Sequence, residues 1–529
     1  MGLKDKLLGW PGVPLYYRRL IEYGALSRVI SKSNESLVKR IKSLSFNNGM
    51  QQYNQFLNDD YEPVTAWLHN HHLHLSMDAC RSPKDNIRLA ARRGFDAYEA
   101  SDHNNTFTDE EFSEYYAYAK RFGITLLTSI ERTFFYYVNK ALVPFMEAKV
   151  MFDPFYIKRE FGFNKPMSVI QEENPLAYLD EPSRDEVVKR VIPDYFNKII
   201  DWGGLCVFVH PHCVDLLPDI AAKPRQEPYS SMVIQRASVN GEFKNPLFLG
   251  GLMSDIFEII KRVSDRDSVL IEDVNPSVSG VTLDTKFKSG AVRYQGLGLK
   301  GLTPYLILPE QGLPQLFNTL KRVYDDSAWN KLSLDDFIRQ GVTKVNGSIS
   351  NNHFFHFTSY TPWVRDQLIP CLLDSVPDAR LWANSRVFNL HETSGCDYHG
   401  KNRASDVKDV LFLPKTKGIG RGEFIKGLEP FSFLDAYREK RSFCYIQSID
   451  HKPINRFLNN IVRWMALQKG VYLERMLNGQ RMISNYYRLS SLPVSVRSML
   501  RSELNISEGV EAVIPGYLVF NAYIKLRRL

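Results

Sequence analysis

Residues 67–80, with the sequence WLHNHHLHLSMDAC, hold four of the twelve histidines of the chain within six positions. The stretch follows the predicted strand Val64–Leu68, and alternate residues of a strand point to the same face. His69 and His71 are therefore predicted to aim at one metal ion from the end of this strand. Imidazole suits Zn, Cu, Fe and Ni, and added carboxylates suit Mn. For this stretch alone, the alternative is a polar turn with solvated histidines.

Potential ligands recur at the ends of five later predicted strands. Phe95–Ala100 is followed by Ser101, Asp102 and His103; Ile124–Ser129 by Glu131; Leu205–Val209 by His210, Pro211 and His212; Ser268–Val274 by Asn275 and Pro276; and Arg386–Leu390 by Asp397 and His399. Helices are predicted between the strands, and this alternation favours an α/β barrel or layered sheet. Sites in α/β barrels form at the carboxyl ends of the strands. Histidines and carboxylates arriving there from separate strands can hold two or three cations.

This ordered set resembles the polymerase and histidinol phosphatase (PHP) family of metal-dependent phosphoesterases over roughly residues 64–425. The motifs that carry the resemblance are His69 and His71 with Asp78, Ser101-Asp102-His103, Glu131, His210-Pro211, Asn275-Pro276, and Asp397 with His399. The resemblance implies an α/β fold, a distorted PHP-type (β/α)7 barrel with insertions. It also implies a site for two or three divalent ions of the Zn, Mn or Fe type.

The resemblance further implies a role for each ligand. His69, His71, Glu131 and Asp397 would hold one metal; Glu131 would bridge to a second metal shared with His210; and Asp78, His103 and His399 would hold a third. A bridging carboxylate keeps two cations about 3.5–4 Å apart, and a metal-bound water then becomes the nucleophile. Glu131, Asp397 and His210 are accordingly expected to take part in catalysis.

The chain departs from the family pattern in three ways. Asp78 lies seven residues after His71, about one more than usual, so His74 is an alternative ligand. No histidine lies between Glu131 and His210, so the second metal either lacks a ligand or uses His212. Insertions are expected near 138–183 and 280–385, where they would shape the substrate cleft.

Other polar residues near these motifs have ordinary explanations. His353, His356 and His391 match no motif and are interpreted as structural. Arg132, next to Glu131, could meet a phosphate, because a guanidinium matches that geometry, or form an ordinary pairing. His391 with Glu392 is the rival pair for the last motif.

The positive charge of the chain is concentrated at its ends. The net charge is +8; residues 1–50 carry nine lysines and arginines against three acidic residues, and residues 451–529 carry twelve against four. The predicted domains are a basic helical segment (1–60), the barrel (61–425) and a mainly helical region (426–529). Basic ends are compatible with contact to nucleic acid, an anionic lipid surface or another protein, and equally with basic surface helices that keep the protein soluble. Basic and aromatic residues between 456 and 488 are compatible with nucleic-acid binding or with a helical bundle.

Cysteine usage and hydropathy indicate a cellular location. The six cysteines form no C-x-x-C pair, which is typical of a reducing compartment. No secretory signal and no run of 18 apolar residues is found, so no membrane-spanning helix is expected. The protein is expected to be cytoplasmic, with peripheral membrane attachment left open. The sequence does not determine the oligomeric state.

Three functions are compatible with these features. The first is a metal-dependent phosphoesterase that hydrolyses a phosphate monoester or diester through metal-activated water. The second is a nucleic-acid-processing nuclease or binding protein that uses the same site, with the basic termini holding DNA or RNA. The third is a non-catalytic PHP-like scaffold. The nearly complete ligand set favours an enzyme with a phosphorylated substrate.

Overall fold

The computed structural model describes residues 51–73, 75–76, 79, 81–138, 141–175, 182–209, 250–274, 384–398, 407–446 and 486–528, with short pieces between 39 and 42 and between 305 and 382. Five of the predicted site residues lie in these ranges: His69, His71, His103, Glu131 and Asp397. The others lie outside the described residues, namely Asp78, His210 and His399, as do the alternative ligands His74 and His212.

Fifteen strands are described, in two sheets. The main sheet contains β1 (Tyr61–Trp67), β2 (Ala97–His103), β3 (Thr125–Val138), β4 (Ala141–Phe152), β5 (Leu205–Phe208), β6 (Val269–Val274), β11 (His391–Ser394), β12 (Val407–Pro414), β13 (Ser442–Ile446), β14 (Tyr486–Arg488) and β15 (Val513–Pro515). The second sheet, in the order β10-β7-β9-β8, contains β7 (Tyr305–Pro309), β8 (Thr343–Lys344), β9 (Asn352–His356) and β10 (Arg380–Trp382).

The main sheet is a nearly closed, mixed barrel. Nine strands follow one another in the order β11-β6-β5-β4-β3-β2-β1-β12-β13. Seven of them run in one direction, while β4 and β12 run against their neighbours. Side chains connect the two ends of this path, because His391 Nε2 of β11 lies 2.7 Å from Ser442 Oγ of β13. Thr393 Oγ1 of β11 also donates to Asp409 Oδ2 of β12, the strand next to the end, at 2.8 Å. The predicted distorted α/β barrel is confirmed.

Helices connect and cover the strands. They are α1 (Pro83–Arg92), α2 (Asp109–Lys120), α3 (Pro154–Phe161), α4 (Pro166–Glu172), α5 (Arg184–Glu186), α6 (Ile192–Asp201), α7 (Gly250–Ile260), α8 (Asn384–Phe388), α9 (Arg421–Gly427), α10 (Pro430–Arg438), α11 (Val494–Glu503) and α12 (Gly516–Arg528). Local sequence sets the helix starts. Ser82 caps α1, with Pro83 in its first turn, and Thr108 with Glu111 forms a capping box at α2.

The main sheet buries a different apolar cluster on each face. On the outer face, Tyr98 packs with residues of the helices that flank the barrel. On the inner face, Ala97 packs with Leu127, Leu270 and Leu411, and residues of α9 and α10 cover this end of the barrel. The two clusters separate because successive side chains of a strand point to opposite faces.

The inner face changes from apolar to charged toward the carboxyl ends of the parallel strands. Glu99 lies two positions after Ala97 in β2, and Glu272 lies two positions after Leu270 in β6. Both carboxylates are buried. Buried charged side chains therefore line the inside of the barrel near the end where the parallel strands have their carboxyl termini.

The predicted strand Arg386–Leu390 is wrong, because this stretch falls largely in helix α8, and the strand begins only at His391. The Asp273 carboxylate accepts a hydrogen bond from the Ser385 N–H at 2.7 Å and so satisfies a free donor in the first turn of the helix. Asn389 has a φ of 50° and ends the helix in the left-handed region. Since intrinsic helix and strand propensities are weak over so few residues, the contact between Ser385 and Asp273 decides that this stretch is helical.

The C-terminal region, predicted to be mainly helical, contains both helices and strands in its described part. Strand β13 pairs with β12, and β15 pairs with β4, so this region extends the barrel sheet. The basic and aromatic stretch between 456 and 485 lies outside the described residues. Within the part of the chain that the structure describes, none of the helices has the length and apolar character that a bilayer crossing requires.

Candidate metal centre

His69 marks the sharp turn that follows β1. Its backbone is left-handed, with a φ of 60°, which a non-glycine residue adopts only when surrounding contacts impose it. The His69 N–H donates to Glu99 Oε2 at 2.7 Å, and its carbonyl accepts from the Tyr398 N–H at 3.1 Å. These bonds place the His69 ring between the carboxylates of Glu131 and Glu272.

The segment 395–398 lies alongside the turn after β1 and brings Asp397 into the site. The Cys396 N–H donates to the Leu68 carbonyl at 3.2 Å, and the His71 N–H donates to the Tyr398 carbonyl at 3.1 Å. His71 and Asp397 are 326 positions apart in the sequence, yet His71 Nε2 lies 3.1 Å from Asp397 Oδ1. Main-chain pairing between the two segments thus explains the approach of the two side chains.

His103 and Glu131 are brought together by strand register. They are direct partners in the parallel pair β2 and β3. Neighbouring residues of paired strands point to the same face, and His103 Nδ1 accordingly lies 2.7 Å from Glu131 Oε2.

Glu131 is the centre of the arrangement, because its two oxygens face different imidazoles. Oε1 lies 3.2 Å from His69 Nε2. Oε2 lies 3.5 Å from His71 Nε2, in addition to its contact with His103. The rings of His71 and His103 stack with their centroids 4.3 Å apart.

Within the described ranges, two groups of three side chains bring metal-binding atoms within 4.8 Å of one another: His69, His71 and Asp397, and His71, His103 and Glu131. His69, His71 and Glu131 are fully buried, whereas the side chains of His103 and Asp397 are 19% and 15% exposed. The site therefore opens to solvent on the side of His103 and Asp397. The five candidate ligands predicted from the sequence that lie within the described residues come together here.

Glu272 and Glu99 lie against the candidate site and were not predicted from the sequence. Glu272 Oε1 lies 2.8 Å from His69 Nδ1, and Glu99 holds the His69 main chain. The sequence pattern that could have identified them is a glutamate two residues after an inward-facing apolar residue of the same strand, Leu270 in β6 and Ala97 in β2. That pattern depends on knowing which face of each strand points inward.

Lys149 supplies a buried positive charge next to Glu99, the residue that holds the His69 main chain. Its Nζ donates to Glu99 Oε2 at 2.8 Å, and both side chains are fully buried. Burial disfavours the ammonium form, but Glu99 and Glu272 outweigh it and raise the pKa of Lys149 above its ordinary value. Lys149 is therefore charged at neutral pH.

Burial and nearby carboxylates also have opposite effects on the pKa of His69. Burial disfavours the imidazolium, but the carboxylates of Glu272 and Glu131 outweigh burial and raise the pKa of His69 to about 9. The two carboxylates thus create a strongly negative environment around the ring. Buried carboxylates in proteins are paired with cations or coordinate metals.

The donor set fits a divalent cation. Glu131 and Glu272 are both buried, and the Lys149 ammonium is hydrogen-bonded to a different carboxylate, that of Glu99. A cation held by the His69, His71, His103, Glu131 and Asp397 side chains would balance this negative charge. Imidazole nitrogen combined with carboxylate oxygen is a donor set suited to Zn, Fe and Mn.

Three nearby residues have structural partners. His72 Nδ1 lies 2.8 Å from Asp102 Oδ2, and its Nε2 contacts the Tyr98 hydroxyl. Arg132 donates to the backbone carbonyls of 170, 171 and 173 through Nη2. His391, the rival ligand, lies in β11 against Ser442 of β13.

The C-terminal helix α12 supports the rim of the site. Asn521 Nδ2 donates to the His103 carbonyl at 3.1 Å, and Asn521 Oδ1 accepts from Asn105 Nδ2 at 3.3 Å. Asn521 is buried. The helix therefore holds the backbone of a candidate ligand.

Asn521→Ala is expected to lower the free energy of unfolding by about 1–3 kcal/mol, because it leaves buried polar groups without their partner. Chemical denaturation would measure the change. Asn58→Ala, in an exposed loop, is the control, and we expect it to change stability by less than about 0.5 kcal/mol. Equal stability of the two variants would contradict a supporting role for Asn521.

Residues 68–265 match the family model of the PHP domain. This part of the chain is a PHP domain. The matched range contains four of the five candidate ligands, His69, His71, His103 and Glu131, while Asp397 and Glu272 lie beyond it. The structure shows that β6, β11, β12 and β13 complete the barrel of the PHP domain.

None of the curated proteins matches the chain. Among solved structures, it is similar to a protein from Bifidobacterium adolescentis described as a candidate metal-dependent phosphoesterase, with 11% identity and a TM-score of 0.25 over 70% of this chain and 95% of that one. An amidohydrolase from Chromobacterium violaceum, with bound sulfate and no metal, has 16% identity and a TM-score of 0.21 over 40% of this chain and 78% of that one. TM-scores this low establish no common fold, and the PHP domain match applies to residues 68–265.

Proposed function

We propose that this protein is a metal-dependent phosphoesterase that hydrolyses a phosphate monoester or diester. The observation that carries the proposal is the position of Glu131. Its two carboxylate oxygens face different histidines, with Oε1 toward His69 and Oε2 toward His71 and His103. A carboxylate in this position suits a site of more than one cation.

The described side chains would divide the work of binding. His69, His71 and Asp397 form one donor group, and His103 with Glu131 supplies ligands toward a second. Since His71 Nε2 belongs to both groups and can bind one ion at a time, further ligands would come from Asp78, His210 and His399. We propose two or three divalent ions of the Zn, Mn or Fe type. Bound metal would polarise the phosphoryl oxygens and lower the pKa of a water molecule to about 7.

The remaining features of the site support a hydrolytic role. The partly exposed His103 and Asp397 mark the side from which a phosphoryl group would enter. The buried His69 and Glu131 lie away from solvent, where electrostatic interactions are stronger than in water. The chain's own contribution would be to orient the donor atoms and to exclude bulk water from the inner side.

An activity screen tests this proposal. The protein, reconstituted with Zn²⁺ or Mn²⁺, is assayed with p-nitrophenyl phosphate, bis(p-nitrophenyl) phosphate, single-stranded DNA and RNA. Hydrolysis of the small esters supports the phosphoesterase. Hydrolysis confined to DNA or RNA would indicate the nuclease alternative, to which the basic chain ends point. Metal binding without any hydrolysis would overturn the proposal in favour of a scaffold.

Asp397→Asn is expected to lower the rate on the active ester by at least about 10–100-fold, because an amide oxygen is a weaker ligand than a carboxylate. The control is Asp435→Asn on the surface of α10, whose carboxylate contacts Arg438 at 3.2 Å and is 42% exposed. We expect the control to retain the wild-type rate. Equal rates for Asp397→Asn and the wild type would mean that Asp397 is not a metal ligand.

A further inference from the structure

His69 is held by two buried carboxylates that belong to neither donor group. Glu99 accepts from its main-chain N–H at 2.7 Å, and Glu272 lies 2.8 Å from its ring Nδ1. Residue His69 is therefore restrained at both its backbone and its ring. Glu272 comes from β6, which lies several strands away from β1 in the sheet.

The contact with Glu272 determines which ring nitrogen faces the site. With Nδ1 against Glu272, Nε2 is directed to Glu131 Oε1 at 3.2 Å. A carboxylate on one imidazole nitrogen sets the tautomer and the ring orientation, and makes the other nitrogen a better ligand. Glu272 thus has the position of a residue that prepares His69 to bind a cation.

Gly395 provides the space that Glu272 occupies. A Cβ atom built on Gly395 would lie 1.9 Å from Glu272 Oε1 and 2.2 Å from its Cδ. Such distances are far below a van der Waals contact, so any larger residue would displace the carboxylate. Gly395 lies two residues before Asp397, in the segment that pairs with the turn after β1.

We propose that Glu272 is a positioning residue for His69 and that Gly395 is the small residue that admits it. This inference rests on the proposed metal site. The segment 395–398 would have two roles in the site. It would provide Asp397 as a ligand, and at Gly395 it would leave room for the Glu272 carboxylate that orients His69. Glu272 would act through His69 without contacting the substrate.

Cobalt titration followed by visible absorption tests the inference, with metal content measured by elemental analysis. Glu272→Gln keeps the size of the side chain but removes its charge, and we expect it to lower Co²⁺ affinity by about 10–100-fold. Gly395→Ala keeps the glutamate but displaces it, and the same loss is expected. The control is Gly422→Ala, where an added Cβ meets nothing within 4 Å; it should bind Co²⁺ as the wild type does.

A double variant separates a positioning role from a general packing effect. In a Glu272→Ala background, the space beside Gly395 is empty, so Gly395→Ala should cause no further loss of affinity. Additive losses would show that Gly395 does not act through Glu272. Thermal unfolding of the metal-free variants gives the separate effect on stability. If Glu272→Gln does not fold, Gly395→Ala carries the same test.

The outcomes for the two proposals differ. A wild-type protein that binds no Co²⁺ would overturn the metal site and the proposed function together. A wild type that binds Co²⁺ with the same affinity as Glu272→Gln and Gly395→Ala would overturn the positioning role alone.

Discussion

Glu131→Gln is expected to reduce hydrolysis by the metal-loaded protein by at least about 100-fold, because the proposed metal-assisted chemistry would need both charged oxygens of this carboxylate. Glutamine matches the shape of the side chain but offers one neutral oxygen in place of two charged ones. In the structure those two oxygens face His69 on one side and His71 with His103 on the other. Steady-state rates and elemental analysis of the purified variant would measure the loss of activity and of metal.

Glu147→Gln is the matched control for this variant. Glu147 lies on β4 of the same hairpin and accepts a hydrogen bond from Thr133 Oγ1 at 2.9 Å. Its replacement should leave the metal content unchanged and the rate within about twofold of wild type, since it belongs to neither donor group. Wild-type activity in Glu131→Gln would mean that Glu131 is not a ligand.

Lys149→Met is expected to lower the free energy of unfolding by about 3–5 kcal/mol, because it leaves the buried Glu99 carboxylate without its cation. The pair is fully buried, with Lys149 Nζ 2.8 Å from Glu99 Oε2. Urea denaturation would measure the change. By comparison, Lys189→Met removes an exposed pair with Asp185, whose side chains are 48% and 70% exposed, and should cost less than about 1 kcal/mol.

A second substitution distinguishes charge from packing in this region. Adding Glu99→Gln to Lys149→Met removes the uncompensated charge, and we expect most of the stability to return. Recovery would identify the buried charge as the cause, whereas continued instability would point to lost packing of the lysine stem.

The stability that Lys149 contributes should not vary across neutral pH. Its pKa in the folded protein is raised above the ordinary value of 10.5. A raised pKa means that the contribution is complete below the unfolded value and is lost as the pH rises through the folded value. The difference between wild type and Lys149→Met should therefore be constant between about pH 6 and 9. A difference that disappears within this range would contradict a charged Lys149.

The candidate ligands that follow the first three predicted strands could be predicted from sequence, because each comes directly after a short stretch with strand character. In the structure His69 follows β1 and His103 ends β2, but β3 continues past Glu131 to Val138. Register with His103, and not the end of a strand, therefore positions Glu131. Asp397 could be predicted only through its motif. Its predicted strand was misplaced, since α8 occupies that stretch.

Glu272 and Lys149 were not predicted, although they are buried close to the site. A charged residue within a strand looks the same in sequence whether it faces solvent or the barrel interior. Burial of both side chains follows from the closure of the sheet, which turns one face of β4 and β6 inward. Their stabilisation then depends on partners from other strands, Glu99 and His69.

The sequence by itself determined the residue types that could bind a cation and their order along successive predicted strands, because both properties depend on residue type and on short-range apolar patterning. The family resemblance grouped His71 with Asp397, but only the tertiary structure decided the main-chain pairing that brings the two side chains to 3.1 Å across 326 positions. The tertiary structure also decided that Glu272 holds His69 in the space left by Gly395. These contacts require strand register and barrel closure, which arise from hydrogen bonds between distant segments and have no signature in the local sequence of either partner.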